Sequence, residues 1–307
     1  MKTDVTVVGG ANVDIGGKPD HTLQIHDSNP GTVQISLGGV GRNMAHNLAM
    51  LGHSVRFISA IGEDTHARHI IESCRELSID TEDCFRTSEA PTSTYLFITD
   101  QDGEMEAAIS DMRIAELLTP SFIQEKTDQI NDASLLIIDT NLPKETVREI
   151  VKLAKIPVFA ETVSRIKAEK LRDVLPFIHT ITPNALEAEV LTGLRIDPDD
   201  MTSLEGAADT LLAKGLKQVV ITLGARGAFY SDGSESGLIK TLPCDVESGN
   251  GAGDALISAV ASGFIRGFPF RDAVMLGMAA AAMTVETTAT NHPGLSFENV
   301  YMRAGIE

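Results

Sequence analysis

Leu135-Leu-Ile-Ile138, Lys144-Glu-Thr-Val-Arg-Glu-Ile-Val-Lys-Leu-Ala154 and Pro157-Val-Phe-Ala160 follow one another in the middle of the chain. The outer two are short unbroken apolar runs, the pattern of strands buried on both faces, and the segment between them repeats apolar side chains at helical spacing. Strand, helix and strand in that order predict parallel pairing, because the helix carries the chain back across one face of the sheet. The same alternation extends outward. Apolar runs recur at Val5 to Val8, Val55 to Ile61, Thr180 to Thr182 and Val219 to Thr222, with helical patterns over Gly41 to Leu51, Asp64 to Leu77, Leu186 to Leu191 and Ser203 to Lys214. The expected class is α/β, a doubly wound, mostly parallel sheet flanked by helices.

Two stretches break that rhythm. Val13 to Ser36 carries Gly16, Gly17, Pro19, Pro30 and Gly31, and Ser93 to Ser110 alternates around Asp100-Gln-Asp-Gly103. Both read as antiparallel hairpins without a covering helix. The economical arrangement is one small sheet over an edge of the main body, with a lid as its natural role. With no internal repeat, low-complexity tract or linker, residues 1–307 are expected to form a single domain whose lid comprises about 13–36 and 93–110.

Among 307 residues, 25 Lys and Arg stand against 43 Asp and Glu, a formal charge of −18, which argues against a nucleic-acid partner. The 43% hydrophobic and 22% charged content is ordinary for a globular chain and excludes general disorder. The longest apolar runs, Ala255 to Ile265 and Ala273 to Val285, fall short of the roughly 20 residues that span a membrane. No membrane partner is expected. The first residues lack the long apolar core of a signal peptide, and Cys74, Cys84 and Cys244 are odd in number and widely spaced. Idle thiols in a reducing cytoplasm are the expectation.

The strongest chemical signal is Ser248-Gly-Asn-Gly-Ala-Gly-Asp-Ala255, followed by an apolar helix. Glycines let backbone N–H groups face a ligand, and the helix dipole favours negative charge there, so the stretch can cradle a phosphate. Asp254 in the first turn suits acceptance of a proton from an attacking hydroxyl. A glycine-rich turn with an acid stabilising the helix start accounts for the spacing equally well. Neither a Walker loop nor a G-x-G-x-x-G is present.

Gly38-Gly-Val-Gly-Arg-Asn43 opens another helix, where Gly39 and Gly41 permit close backbone approach and Arg42 and Asn43 offer donors to sugar hydroxyls. A tight connection with Arg42 in solvent is the plainer alternative. Asn12 and Asp14 lie two residues apart, so on an extended segment they share a face and could grip vicinal hydroxyls. In Pro183-Asn-Ala-Leu-Glu187, Asn184 and Glu187 share a helix face and could hold a hydrated Mg²⁺, although a capping box uses the same residues. The small residues Ala279 to Ala282 suit a close-packed helix and leave room for an adenine ring.

Gly10-Ala-Asn-Val-Asp14, Gly38-Gly-Val-Gly-Arg-Asn43, Thr182-Pro-Asn-Ala-Leu-Glu187, Thr222-Leu-Gly-Ala-Arg-Gly227 and Gly251-Ala-Gly-Asp254, in that order, resemble the ribokinase-like (PfkB) carbohydrate kinase family. Within it, Asp27-Ser-Asn-Pro-Gly31, the Gly38-Gly-Val-Gly-Arg-Asn43 string, Ala108-Ile-Ser-Asp-Met112 and Asn291-His-Pro-Gly-Leu-Ser296 look like the pseudouridine kinases. The resemblance implies ATP-dependent phosphorylation of the 5′-hydroxyl of pseudouridine, with another nucleoside such as inosine or adenosine, or a sugar such as ribose, as the alternative acceptor. It implies Asp254 as base and Gly251, Ala252 and Gly253 as the anion hole. Asn12, Asp14, Gly39, Gly41, Asn43 and Ser110 would hold the nucleoside. Asn184, Thr222, Gly224, Gly227, Asn250, Ala281 and Thr284 would serve the ATP side, and Glu187 the Mg²⁺. Arg42, Lys167 and Arg226 are candidate local cations for the anionic ligands, and a homodimer joined through the lid is implied. Ser248-Gly249-Asn250 stands where the family commonly has Asp-Thr-Thr, which leaves activation by K⁺ open. Glu161 stands where an aspartate is usual.

Overall fold

The computed structural model describes residues 3–306. In chain order the strands are β1 (Val5–Val8), β2 (Asn12–Pro19), β3 (Gly31–Gly38), β4 (Val55–Ile58), β5 (Ala60–Gly62), β6 (Phe85–Thr87), β7 (Thr94–Thr99), β8 (Met105–Asp111), β9 (Leu135–Asp139), β10 (Val158–Glu161), β11 (Thr180–Ile181), β12 (Gln218–Thr222), β13 (Ala228–Ser231) and β14 (Ser236–Ile239). Eight of them form the main sheet in the order β14-β13-β12-β11-β10-β9-β1-β4. The strands from β4 through β12 run parallel, while β13 and β14 complete one edge antiparallel.

β9 shows why the apolar run had to become a central strand. Leu136 and Ile138 pack into the core that contains Val147 and Ile150 of the helix Lys144–Leu153, whereas Leu135 and Ile137 pack with Val7 and Phe57 on the opposite face. A strand alternates its side chains between faces, so only burial on both sides accommodates four consecutive aliphatics. Each such side chain contributes about 1.5–3 kcal/mol of burial. The start of the helix Val40–Met50 lies against Gly9, just past the end of β1, and the start of the helix Ala252–Ile265 meets it there. Ligands of open α/β sheets bind at such strand ends. Among the described residues no helix is long and apolar enough to cross a membrane.

The run Val55 to Ile61 does not make one strand. It breaks at Ser59, so that β4 joins the main sheet and β5 pairs with β6 in a separate two-stranded sheet. β6, β13 and β14 lay outside the expected strands, being only three or four residues long, without a long apolar run.

The two hairpins meet as expected, in a four-stranded sheet of order β3-β2-β7-β8. Each hairpin is antiparallel, and β2 joins β7 in parallel. Register gives this sheet two unlike faces. Ser36, Asp14, Tyr95 and Ser110 lie directly across from one another, with Gly16 opposite Phe97 in the next row of that face. The other face carries Ile35, Ile15, Leu96 and Ile109 in one row, and Ile35 and Ile109 are 62% and 67% exposed.

Candidate active site

Gly251 precedes the helix Ala252–Ile265 with φ +79°, and a Cβ there would lie 2.0 Å from the Thr290 carbonyl oxygen. Glycine is therefore required to start this helix. At Gly253 nothing stands within 4 Å of an added Cβ, so that side of the first turn is open. The first-turn N–H groups of Ala252 and Gly253 have no acceptor within the helix and, with the dipole, make an anion site. Asn250 is exposed beside them, its N–H donating to Ser248 Oγ at 3.2 Å.

Asp254, on the same turn, is buried. Asn43 Nδ2 donates to its Oδ2 at 2.8 Å. Burial pushes the Asp254 carboxyl well above the usual aspartate range, helped by the carboxylates of Glu161 and Asp139 and opposed by the Asn43 hydrogen bond and the Arg42 charge. A buried carboxyl with a raised proton affinity is chemically suited to accept a proton.

Asn12 Nδ2 donates to Asp14 Oδ1 at 2.6 Å, so the pair does share one face of β2. Burial raises the Asp14 carboxyl, against the Asn12 hydrogen bond and the Arg42 charge. The space at Gly39 and Gly41 is taken by protein: a Cβ on Gly39 would lie 2.5 Å from Ala11 Cα, and one on Gly41 would lie 2.7 Å from Gly9 Cα. These glycines press the start of the helix Val40–Met50 against the turn after β1. Ser110 is exposed on β8, in the row that carries Asp14.

Arg42 is not the solvated residue of the plainer sequence reading, nor a free cation for incoming anions. It is 5% exposed, donates to the Leu37 carbonyl, to Asn43 Oδ1 and to Asn291 Oδ1, and meets His46 Nδ1 at 3.1 Å. Arg226 is paired with Asp199 at 2.6 Å, and Lys167 Nζ donates to Asn141 Oδ1.

Asn184 and Glu187 form the capping box: Asn184 Oδ1 accepts from the Glu187 N–H and Glu187 Oε2 from the Asn184 N–H, both at 3.0 Å. Glu187 Oε2 also accepts from Thr162 Oγ1 at 2.6 Å. Thr222, at the end of β12, bridges to Asn184, which brings these two to one rim. Beyond it Gly224 (φ +58°) and Gly227 (φ +110°) shape a single turn before β13. Thr284 is fully buried and its hydroxyl donates to the Ala280 carbonyl, so it turns into its own helix rather than toward a nucleotide. Ala281 is half-buried on the same helix.

Four residues at the site carried no role in the sequence reading. Glu161 accepts from Thr182 Oγ1 at 2.8 Å, and burial pushes its carboxyl up to about 7. Asp139 is fully buried and accepts from the Gly10 N–H at 2.8 Å, fastening the turn after β1. Tyr95 stands beside Asp14 on the small sheet, its ring centroid 5.8 Å from that of Phe97. Asn291 joins Arg42 to the Asn43 main chain. The acids at the ends of β9 and β10 were visible as polar residues closing apolar runs; Asn291 opens one of the motifs that carry the resemblance, but nothing local pointed to its partners.

The pfkB family carbohydrate kinase model matches residues 2–296. The pseudouridine kinase of Escherichia coli (strain K12) is 35% identical over 301 residues, covering 97% of this chain and 96% of that protein. A carbohydrate kinase from Agrobacterium tumefaciens superposes with TM-score 0.87 at 30% identity, covering 99% of this chain and 97% of that one. The Arabidopsis thaliana ribokinase complexed with ribose and ATP shares the fold, with TM-score 0.89 at 21% identity over the whole of both chains. The chain belongs to the pfkB family of carbohydrate kinases. It is a sugar or nucleoside kinase of the ribokinase type, a phosphotransferase that acts on a hydroxyl group.

Proposed function

We propose that this kinase transfers the γ-phosphoryl group of ATP to the 5′-hydroxyl of pseudouridine. The single observation that carries the chemistry is the Asn43–Asp254 contact in the first turn of a helix whose open start binds anions. In the transfer the 5′-oxygen forms a bond to the γ-phosphorus as the bond to the β,γ-bridging oxygen breaks, the hydroxyl proton passes to Asp254, and ADP leaves. The N–H groups of Gly251, Ala252 and Gly253 stabilise the charge spread over the moving phosphoryl oxygens.

The Asn12 amide donates to the ribose hydroxyls and the Asp14 carboxylate accepts from them. Tyr95 and Phe97 add aromatic surface on the face of Asp14 and Ser110, which suits a base-bearing substrate better than a free sugar. This small sheet acts as the lid over the acceptor. The likeness to pseudouridine kinase at 35% identity supports that base in particular.

No group of three or more potential protein ligands could hold a metal ion among the described residues. Mg²⁺ does not need such a group, since it keeps its waters and takes one or two carboxylates plus phosphate oxygens. Glu187 would hold it from the end of the capping box, and the ion would neutralise charge on the phosphate chain when bound. The exposed apolar row Ile35, Leu96 and Ile109 supports a homodimer joined through the small sheets of two copies.

The test is ADP release with Mg-ATP and pseudouridine, uridine, inosine, adenosine or ribose, run beside Asp254→Asn. Selective turnover of pseudouridine that the variant loses is expected. Preference for another acceptor overturns the substrate, and retained turnover in the variant overturns the base.

A further inference from the structure

Asn291 lies far along the chain from the helix Val40–Met50, yet its whole side chain is given to that helix. Its Nδ2 donates to the Asn43 carbonyl at 3.0 Å and to Asn47 Oδ1 at 2.8 Å, and its Oδ1 accepts from Arg42 at 3.1 Å. All four residues are buried, Asn47 completely. The preceding residue, Thr290, presents its carbonyl where Gly251 lacks a Cβ. Residues 290 and 291 therefore touch the start of the anion-binding helix and the residue that hydrogen-bonds Asp254 at the same time.

We infer that Asn291 is a positioning residue, whose single amide holds Arg42 and the Asn43 main chain so that the Asn43 side chain is delivered to Asp254. This rests on the reading of Asp254 as the base. A buried amide with three partners has one orientation available, and a network satisfied in that way is rigid. Neither Arg42 nor Asn43 makes another side-chain bond to this C-terminal segment among the described residues.

The groups that face Asp254 are Arg42 from the helix Val40–Met50, Glu161 from β10 and Asp139 from β9. Asp14 on β2 faces Arg42 in turn. His46, beside Arg42, is held neutral by burial and by that charge, its ring pushed down to about 4. Releasing Arg42 and Asn43 removes both groups that favour the Asp254 carboxylate and leaves the two carboxylates that oppose it.

Asn291→Ala and the isosteric Asn291→Asp are compared with the wild type on whichever acceptor the wild type phosphorylates. Ile123→Val, in the core away from the site, controls for lost stability. The expected result is a tenfold or larger fall in kcat, less than threefold change in KM for ATP, and an acidic limb of kcat/KM moved to higher pH. The shift is larger in Asn291→Asp, where the new carboxylate engages Arg42. Folded variants of either kind whose acidic limb and kcat match the wild type overturn the inference. Asp254→Asn separates the two ideas: if it is inactive while the Asn291 variants keep the wild-type limb, only the positioning role falls. If it retains turnover, the base assignment falls and the kcat-against-KM split alone judges Asn291.

Discussion

Asn43 and Asp254, 211 residues apart in sequence, meet at 2.8 Å through an amide donor and a carboxylate acceptor, and both are buried. A hydrogen bond to a charged group contributes about 1.5–3 kcal/mol. Asn43→Ala should therefore lower kcat/KM roughly 10- to 100-fold and move its acidic limb upward, since the bond favours the charged form. Asp254→Asn should cost about 10²–10⁴-fold in kcat. Steady-state rates from pH 5 to 9 check both, and an Asn43→Ala profile that overlays the wild type sinks the first.

The two glycines of the proposed anion hole should separate by phenotype. Gly251→Ala places a methyl against the Thr290 carbonyl at positive φ and should lower Tm along with activity. Gly253→Ala meets nothing in the protein and sits in a helical turn, so stability should hold or rise by up to about 1 kcal/mol. Its activity should nonetheless fall, because the methyl stands in the open side where a phosphoryl group approaches. Thermal melts beside turnover decide it; full activity in Gly253→Ala removes that residue from the hole.

Stability should carry the mark of the crowded carboxyls. Glu161 is raised from 4.5 to about 7 in the fold, so its contribution is fully present below pH 4.5 and is lost as pH rises through about 7. Asp254 and Asp139 shift in the same direction. The ligand-free protein should lose on the order of 1–3 kcal/mol between pH 4.5 and 7.5 from Glu161. Denaturant midpoints across that range should fall for the wild type and fall less for Glu161→Gln; parallel curves would count against the assignment.

Ile35→Asp with Ile109→Asp should halve the mass seen in analytical ultracentrifugation. Both side chains are largely exposed in one copy, so the unfolding free energy at high dilution should change by less than about 0.5 kcal/mol for each substitution. A wild type that sediments as a monomer at micromolar concentration excludes the pairing.

The parallel sheet was legible because Leu135 to Ile138 and its counterparts leave no arrangement but burial on both faces. The two hairpins were legible from their turns, but the parallel pairing of β2 with β7 was not, since register between distant strands has no local signature. At the site, Asp254, Asn43, Asn12 and Asp14 come together through local motifs placed on adjoining elements. Arg42 was misread because spacing does not tell whether a cation ends in solvent or among carbonyls. The hydroxyl of Thr284 is spent on its own helix, because a helical threonine can bond its own backbone as readily as a ligand. Asn291 stood in a legible motif, but its contacts, with residues some 250 positions earlier, show in three dimensions alone.

The small sheet is fastened to the body by four separate passages of chain, at the entry and exit of each hairpin. The four passages, at Asn12, Gly38, Thr94 and Asp111, lie side by side at one end of the sheet, which gives the panel a single edge about which to turn. Because its polar row and its apolar row are opposite sides of that same panel, any tilt that brings Asp14 and Tyr95 down on an acceptor swings Ile35 and Ile109 through an equal angle. Two copies pressed together along that side would be geared, each one's rocking felt by its neighbour as a torque.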